Sequence, residues 1–268
     1  MRLGLQNGLP EISTNLIPVI TVVAFVFGLH LMFRTRFTAA RILLSLALLI
    51  LAAATVSTQS RAAVISLFTA AAVILFFRNR VAMIVCLAVL LSLSSLAYLN
   101  REKRHEFSEI GSIERNVRIS LALMAGGILE DYPITGIGFG TNIFGERIDH
   151  EKYNSKLPQA YQLSDTNLKG HTKEPHSMYT SIAIRTGLPG FGFFLLFVGA
   201  FLLNGIRLMR SENDEAKEVS HCLFAAMVGM LIVGLFERCL SPITDMVFYT
   251  VVAMEGILIR IDKEQMTS

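Results

Sequence analysis

The residues able to do chemistry in this 268-residue chain are few, and they stand at the lips of apolar stretches. His176 lies in "KEPHSMYTSIAIRTGLPGFGFF", behind a proline and at the start of an apolar helix that soon meets Gly-Leu-Pro-Gly. An imidazole takes up or releases a proton near pH 7; a ring at an interface that bonds only to water is the plain alternative. Arg61 follows "STQS" between two apolar runs. An arginine near a bilayer centre costs roughly 2.5 to 3.5 kcal/mol or more, so one kept at such an edge is a candidate site residue, unless it simply snorkels to headgroups. Arg115 and Arg118, three apart in "SIERNVRISLALMAGG", share the polar face of a helix. The plain alternative there is a weak surface pair between Arg118 and Glu114, four residues earlier.

Other groupings fall away. His171 and His176 are five apart with Pro175 between them, which fits no common zinc pattern. Glu130 and Asp131 are adjacent, so on a helix they diverge instead of flanking one glycosidic bond. "GIGFG" has neither the preceding strand nor the following acidic residue of a dinucleotide site. Gly136, Gly138 and Gly140 fit better as a tight backbone path near a membrane surface, where amides and carbonyls must be satisfied within the protein. Cys86, Cys222 and Cys239 are odd in number, and two lie in apolar runs, which indicates neither a disulfide framework nor a thiolate metal site. Neither a metal nor a cofactor is expected.

These residues must be positioned by elements, and composition says of what kind. The chain is 53% hydrophobic and 17% charged, with a mean hydropathy of +0.54, well above a soluble domain. It reads as an all-α polytopic transmembrane bundle. The net charge of +3, without a basic tract, makes nucleic acid an unsuitable partner. A crossing helix needs about 20 mostly apolar residues, and runs of that kind lie near Asn15 to Phe33, Ile42 to Thr58, Ala62 to Phe77 and Val81 to Leu99. After a polar segment come Ser177 to Met209, long enough for a short leading helix plus a span, then Val219 to Phe236 and Ile243 to Ile259. The expectation is seven spans in three regions: 1–99 with four spans, 100–176 as a large outer loop, and 177–268 with three spans and a tail.

Orientation follows the short basic loops. Arg34, Arg36 and Arg41, then Arg78 and Arg80, then Arg207, Arg210 and Lys217, then Arg260 and Lys263 mark every second connection as inner. The N-terminus is then outside and the C-terminus inside. An outside start without a signal peptide points to upstream helices that are missing or supplied by another chain. In the outer loop, Ile113, Val117, Leu121, Met124 and Ile128 recur at helical spacing, giving an amphipathic helix at the membrane edge. It ends before Pro133, which pushes Tyr132 out of helical geometry.

Three stretches together resemble the C-terminal half of the O-antigen ligase and polymerase superfamily, multi-span glycosyltransferases acting on undecaprenyl-pyrophosphate glycans. "TVSTQSRAAVISL" is similar to its Thr/Ser-x-Ser-Arg opening of a span. "RISLALMAGGILEDYPITGIGFG" is similar to its arginine-led helix and Pro-x-x-Gly-x-Gly turn. "HSMYTSIAIRTGLPGFGFFLLF" resembles its His-Asn-x-Tyr element with Gly-Leu-Pro-Gly and a span. The likeness runs from about Pro10 to Ile259, and the family normally has around five more spans before it.

The resemblance implies a bacterial inner-membrane enzyme with its N-terminus and large loop in the periplasm and its C-terminus in the cytoplasm. It implies that Arg61 and Arg118 bind the donor's pyrophosphate, that Arg115 is the residue most easily mistaken for Arg118 in that role, and that His176 is the catalytic base. The partners would be membrane lipid, an undecaprenyl-pyrophosphate glycan donor and a glycan or lipid-linked acceptor, with direct, inverting, metal-independent transfer. A repeat-unit polymerase would use the same machinery, and a non-catalytic export subunit derived from the family is a reading of another class. Two positions depart from the pattern: Ser177 replaces an asparagine and Arg185 replaces a glutamate.

Overall fold

A computed structural model describes residues 16–57, 60–99, 105–139, 143–164, 175, 177–236 and 242–266, and among them every regular element is helical. Seven helices coincide with the seven expected apolar runs: α1 (Leu16–Arg34), α2 (Thr38–Ser57), α3 (Arg61–Arg78), α4 (Arg80–Leu99), α8 (Met178–Leu208), α9 (Asp214–Phe236) and α10 (Pro242–Met266). Between α4 and α8 lie α5 (His105–Asp131), α6 (Ile143–Arg147), α7 (His150–Ser155) and a 3-10 turn at Gln159–Tyr161. Three helical segments, Thr38–Val56, Met178–Leu208 and Asp214–Phe236, have the length and apolarity to cross a membrane. Pro18–Arg34 and Ala62–Arg78 are shorter apolar helices. The chain is a helical membrane protein.

Local chemistry sets the helix ends. Ser60 caps α3, its Oγ accepting from the Ala63 amide at 3.3 Å, which makes Arg61 the first helical residue. Asn79 closes α3 and opens α4: its amide donates to the Leu75 carbonyl, while its Oδ1 accepts from the Val81 and Ala82 amides at 3.1 Å each. Asn213 caps α9 through the Glu215 and Ala216 amides. Each such cap satisfies amides that have no partner inside the helix.

The described residues fall into two compact units, one drawn from 1–87, 201–233 and 239–268, the other from 88–200 and 234–238. In the first, Val22, Val26 and Leu29 of α1 pack with Leu48 of α2, Leu67, Ala70, Ile74 and Leu75 of α3, and Cys222 and Ala225 of α9. Small residues let these helices approach closely, as helices in lipid tend to. A Cβ built on Gly229 would lie 2.5 Å from Val22 Cγ1 and 3.0 Å from Ala70 Cβ. At one end of this unit Arg78 pairs with Glu218 at 3.0 Å and lies 2.9 Å from His30 Nδ1, and Arg34 pairs with Glu215 at 2.5 Å. His221 stacks on Phe77 beside them.

In the second unit, Val117, Leu121, Met124 and Ile128 of α5 are buried as their spacing predicts. Their partner differs from expectation. The apolar face packs on Phe144, Ile148, Tyr153, Leu163 and Ile184, so protein covers the stripe that the sequence assigned to the membrane edge. Periodicity reports a buried face, and what buries it is a tertiary matter.

The Gly229 crossing yields a first prediction. Gly229→Ala should lower stability by about 1–3 kcal/mol through overpacking, seen as a lower thermal midpoint in detergent, whereas Gly256→Ala, with open space around its Cβ, should not.

Candidate functional site

The organising feature of the second unit is a break in α8. At Gly187 the backbone takes φ 69°, ψ −179°, outside helical geometry, in a region open essentially only to glycine. Pro189 follows, lacking an amide hydrogen. Together they release three backbone groups from the helical ladder: the Ile184 carbonyl, the Arg185 carbonyl and the Leu188 amide. The turn after α5 takes all three. Ile137 N–H donates to the Ile184 carbonyl at 2.8 Å, Gly138 N–H donates to the Arg185 carbonyl at 3.0 Å, and Leu188 N–H donates to the Pro133 carbonyl at 2.8 Å.

Only glycines fit this contact. Gly136 (φ 60°) and Gly138 (φ 94°) occupy left-handed backbone. A Cβ on Gly136 would sit 2.4 Å from the Arg185 carbonyl oxygen, and one on Gly187 would sit 2.3 Å from that of Ile134. The Pro-x-x-Gly-x-Gly turn and the Thr-Gly-Leu-Pro-Gly stretch, 50 residues apart in the chain from Gly136 to Thr186, are thus fused backbone to backbone. Gly140 lies outside the described residues.

Beside the turn stands a polar knot. Asp131, the last residue of α5, accepts from Lys152 Nζ at 2.5 Å and from the Tyr153 hydroxyl at 2.6 Å. The Lys152 hydrogen bond, then that of Tyr153, holds the Asp131 carboxyl below its ordinary range. Asp131 in return raises Lys152, and burial followed by Asp131 pushes the Tyr153 hydroxyl up to about 12. Arg147 Nη1 donates to the Ile137 carbonyl at 3.3 Å. His150 is buried edge-on to Phe144, and burial lowers its proton affinity against the smaller opposing pull of the Phe144 backbone and Asp149.

Of the expected site residues, Arg61 is the first residue of α3 in the first unit, and its side chain lies outside those described. Arg115 and Arg118 are on α5 in the second unit; Arg118 is exposed, and the side chain of Arg115 is not among those described. His176 and His171 lie outside the described residues. The positions flanking 176 are held: Pro175 is buried and its carbonyl accepts from Ser181 Oγ at 3.4 Å, while Ser177 Oγ donates to the Gly234 carbonyl at 3.4 Å. Ser177, one of the two departures, thus anchors the start of α8, and Arg185, the other, is buried with its carbonyl in the junction. Arg147 and the Asp131 knot were not anticipated, because no spacing in the sequence links them to the turn. Among the described residues no three His, Cys, Asp or Glu side chains cluster as a metal site would require.

An apolar helical chain whose glycine-rich turn is stitched to a broken span is a membrane protein built around one backbone junction. The chain matches the O-antigen ligase family over residues 46–195 and belongs to that family. Membership implies lipid-linked glycan substrates at a membrane. No curated protein matches the chain.

Two outcomes follow. Gly187→Ala or Gly136→Ala should destabilise by at least about 1–3 kcal/mol from backbone strain alone, whereas Gly126→Ala, whose Cβ meets nothing within 4 Å, should be neutral or stabilising; thermal unfolding in detergent reads both. Because the folded Asp131 titrates below its ordinary 3.8, its contribution is present above that pH and disappears as pH falls through the lower folded value. The midpoint advantage of wild type over Asp131→Asn should therefore be constant from pH 5 to 8 and vanish on acidification.

Proposed function

We propose that this protein is a membrane glycosyltransferase that moves a glycan from undecaprenyl pyrophosphate onto an acceptor hydroxyl. The observation that carries the reading is the family match, whose limits of 46 and 195 enclose Arg61, Arg115, Arg118 and His176. The seven helices at the seven apolar runs support seven spans in the bacterial inner membrane, with the N-terminus and the 100–176 segment in the periplasm and the C-terminus in the cytoplasm.

In this reading Arg61 and Arg118 cradle the donor's pyrophosphate, with Arg115 next in line for the second role. Breaking the bond between the anomeric carbon and the phosphate leaves negative charge on phosphate oxygens. Guanidinium forks bind such oxygens bidentately and stay charged at every relevant pH, each charged hydrogen bond contributing about 1.5–3 kcal/mol net. They supply the charge neutralisation that a divalent cation supplies elsewhere. His176, as neutral imidazole, accepts the proton of the attacking hydroxyl. Direct displacement inverts the anomeric centre. The acceptor is lipid A core in a ligase and another repeat unit in a polymerase.

The test is transfer in membrane vesicles supplied with an undecaprenyl-pyrophosphate glycan. His176→Ala should slow transfer by about 10²–10⁴-fold, and Arg61→Ala or Arg118→Ala by roughly 10–100-fold. Chelator should leave the wild-type rate unchanged. Undiminished transfer by His176→Ala would remove the mechanism, and no transfer by any form would favour a non-catalytic membrane subunit.

A further inference from the structure

We propose that the turn Tyr132–Phe139, although it belongs to the polar segment of the chain, is an apolar wedge that inserts into the hydrocarbon of the bilayer beside α8. Its side chains are exposed and apolar: Ile134 is 72% and Phe139 77% solvent-accessible, with Tyr132 and Leu188 also open. Scattered apolar residues on a surface mean little, but a contiguous set marks a contact. Ile134 and Leu188 adjoin because the junction holds Pro133 and Ile134 against Gly187 and Leu188, and Tyr132 and Phe139 bound the same short turn.

Three observations identify lipid as the occupant. First, beyond Leu188 the chain runs on into an exposed apolar face of the span. Pro189, Phe193 and Leu196 are spaced i, i+4, i+7 on one face of α8 and are exposed, within a helix apolar enough to cross a membrane. Second, the glycine-bearing half of the turn, residues 136–138, has its amides paired within protein, as a medium that offers no hydrogen bonds requires, since each unpaired group there costs several kcal/mol. The amides of Gly136, Ile137, Gly138 and Leu188 all donate to carbonyls, and the Gly136 and Ile137 carbonyls accept from Thr135 Oγ1 and Arg147. Third, the polar groups at its base suit the headgroup layer. Arg147 donates to the Ile137 carbonyl of the turn, Asp131 is paired with Lys152 and accepts from the Tyr153 hydroxyl, and Glu130 before it is exposed. Tyrosine and arginine at that level are the anchors expected of a membrane interface.

The wedge depends on the chain's place in a membrane and is independent of the catalytic assignments. Its effect is to fix the depth of the second unit against the lipid surface through a rigid backbone contact.

The chain contains no tryptophan, so single reporters are unambiguous. Ile134→Trp and Phe139→Trp would be reconstituted in phosphatidylcholine vesicles with acyl chains brominated at shallow or deep carbons. Phe193→Trp on the span and Gln159→Trp on the polar 3-10 turn serve as references. Ile134→Trp and Phe139→Trp should be quenched roughly twofold or more, most by shallow bromines, while Gln159→Trp stays bright. Emission as insensitive to bromine as that of Gln159→Trp, or free access by aqueous iodide, would overturn the wedge; the latter would indicate a water-facing or protein-binding surface. The unmodified protein gives a second arm that no folding defect can confuse. A lipid-soluble carbene photolabel should leave adducts on the 132–139 peptide, and their absence there, with label present on α8, would equally overturn the proposal.

Discussion

The second unit depends on one contact, the approach of the Gly136 backbone to the backbone at Gly187. Two glycines face each other because neither backbone could come so near a Cβ, and the approach brings three hydrogen-bonding groups freed by the helix break to three groups of the turn. The exchange is close to neutral in hydrogen bonds: what α8 loses from its own ladder it recovers from the turn. Without that recovery each buried unpaired group would cost about 1–3 kcal/mol, and a break in the middle of a long apolar helix would be hard to sustain. The same contact seats Ile137 next to Ile184, so the core of α5, α6 and α7 is closed by the leading segment of α8.

In the first unit the constraint is different. Helices in lipid gain little from hydrophobic contrast, so packing and polar pairing at their ends matter more. Thr55, Ser66 and Ser220 return their hydroxyls to backbone carbonyls, leaving no side-chain donor idle inside the bundle at those positions. Arg34 and Arg78 are engaged with Glu215 and Glu218. A basic residue beside an apolar run can therefore serve helix association, as Arg34 and Arg78 do.

Much of this was legible in the sequence, for physical reasons that can be named. The apolar runs gave seven helices because length and hydropathy are local properties, and Val117, Leu121, Met124 and Ile128 gave the buried face of α5 because its period is local too. Pro133 marked the end of that helix, and the length of the run from Ser177 to Met209 marked a leading segment before the span. What periodicity could not supply was partnership. Nothing in the spacing says that Asp131 meets Lys152 and Tyr153, that protein covers the face of α5, or that Gly136 faces Gly187. The helices α6 and α7 are too short to show a period. Of the candidate site residues, Arg61 could be assigned its helical position from the Ser60 cap, and the flanks of His176 are anchored by Ser177 and Ser181, but the roles of these residues rest on resemblance to the family.

The junction also leaves no slack. Amide-to-carbonyl pairs secure the turn at Pro133 and again at Gly138, so adding or deleting a single residue between them would change which amide meets which carbonyl and displace a glycine from the one spot where it fits. Surface segments usually absorb changes in length freely; this one is measured to the residue, and any lengthening or shortening of the polar segment has to fall outside the clamp.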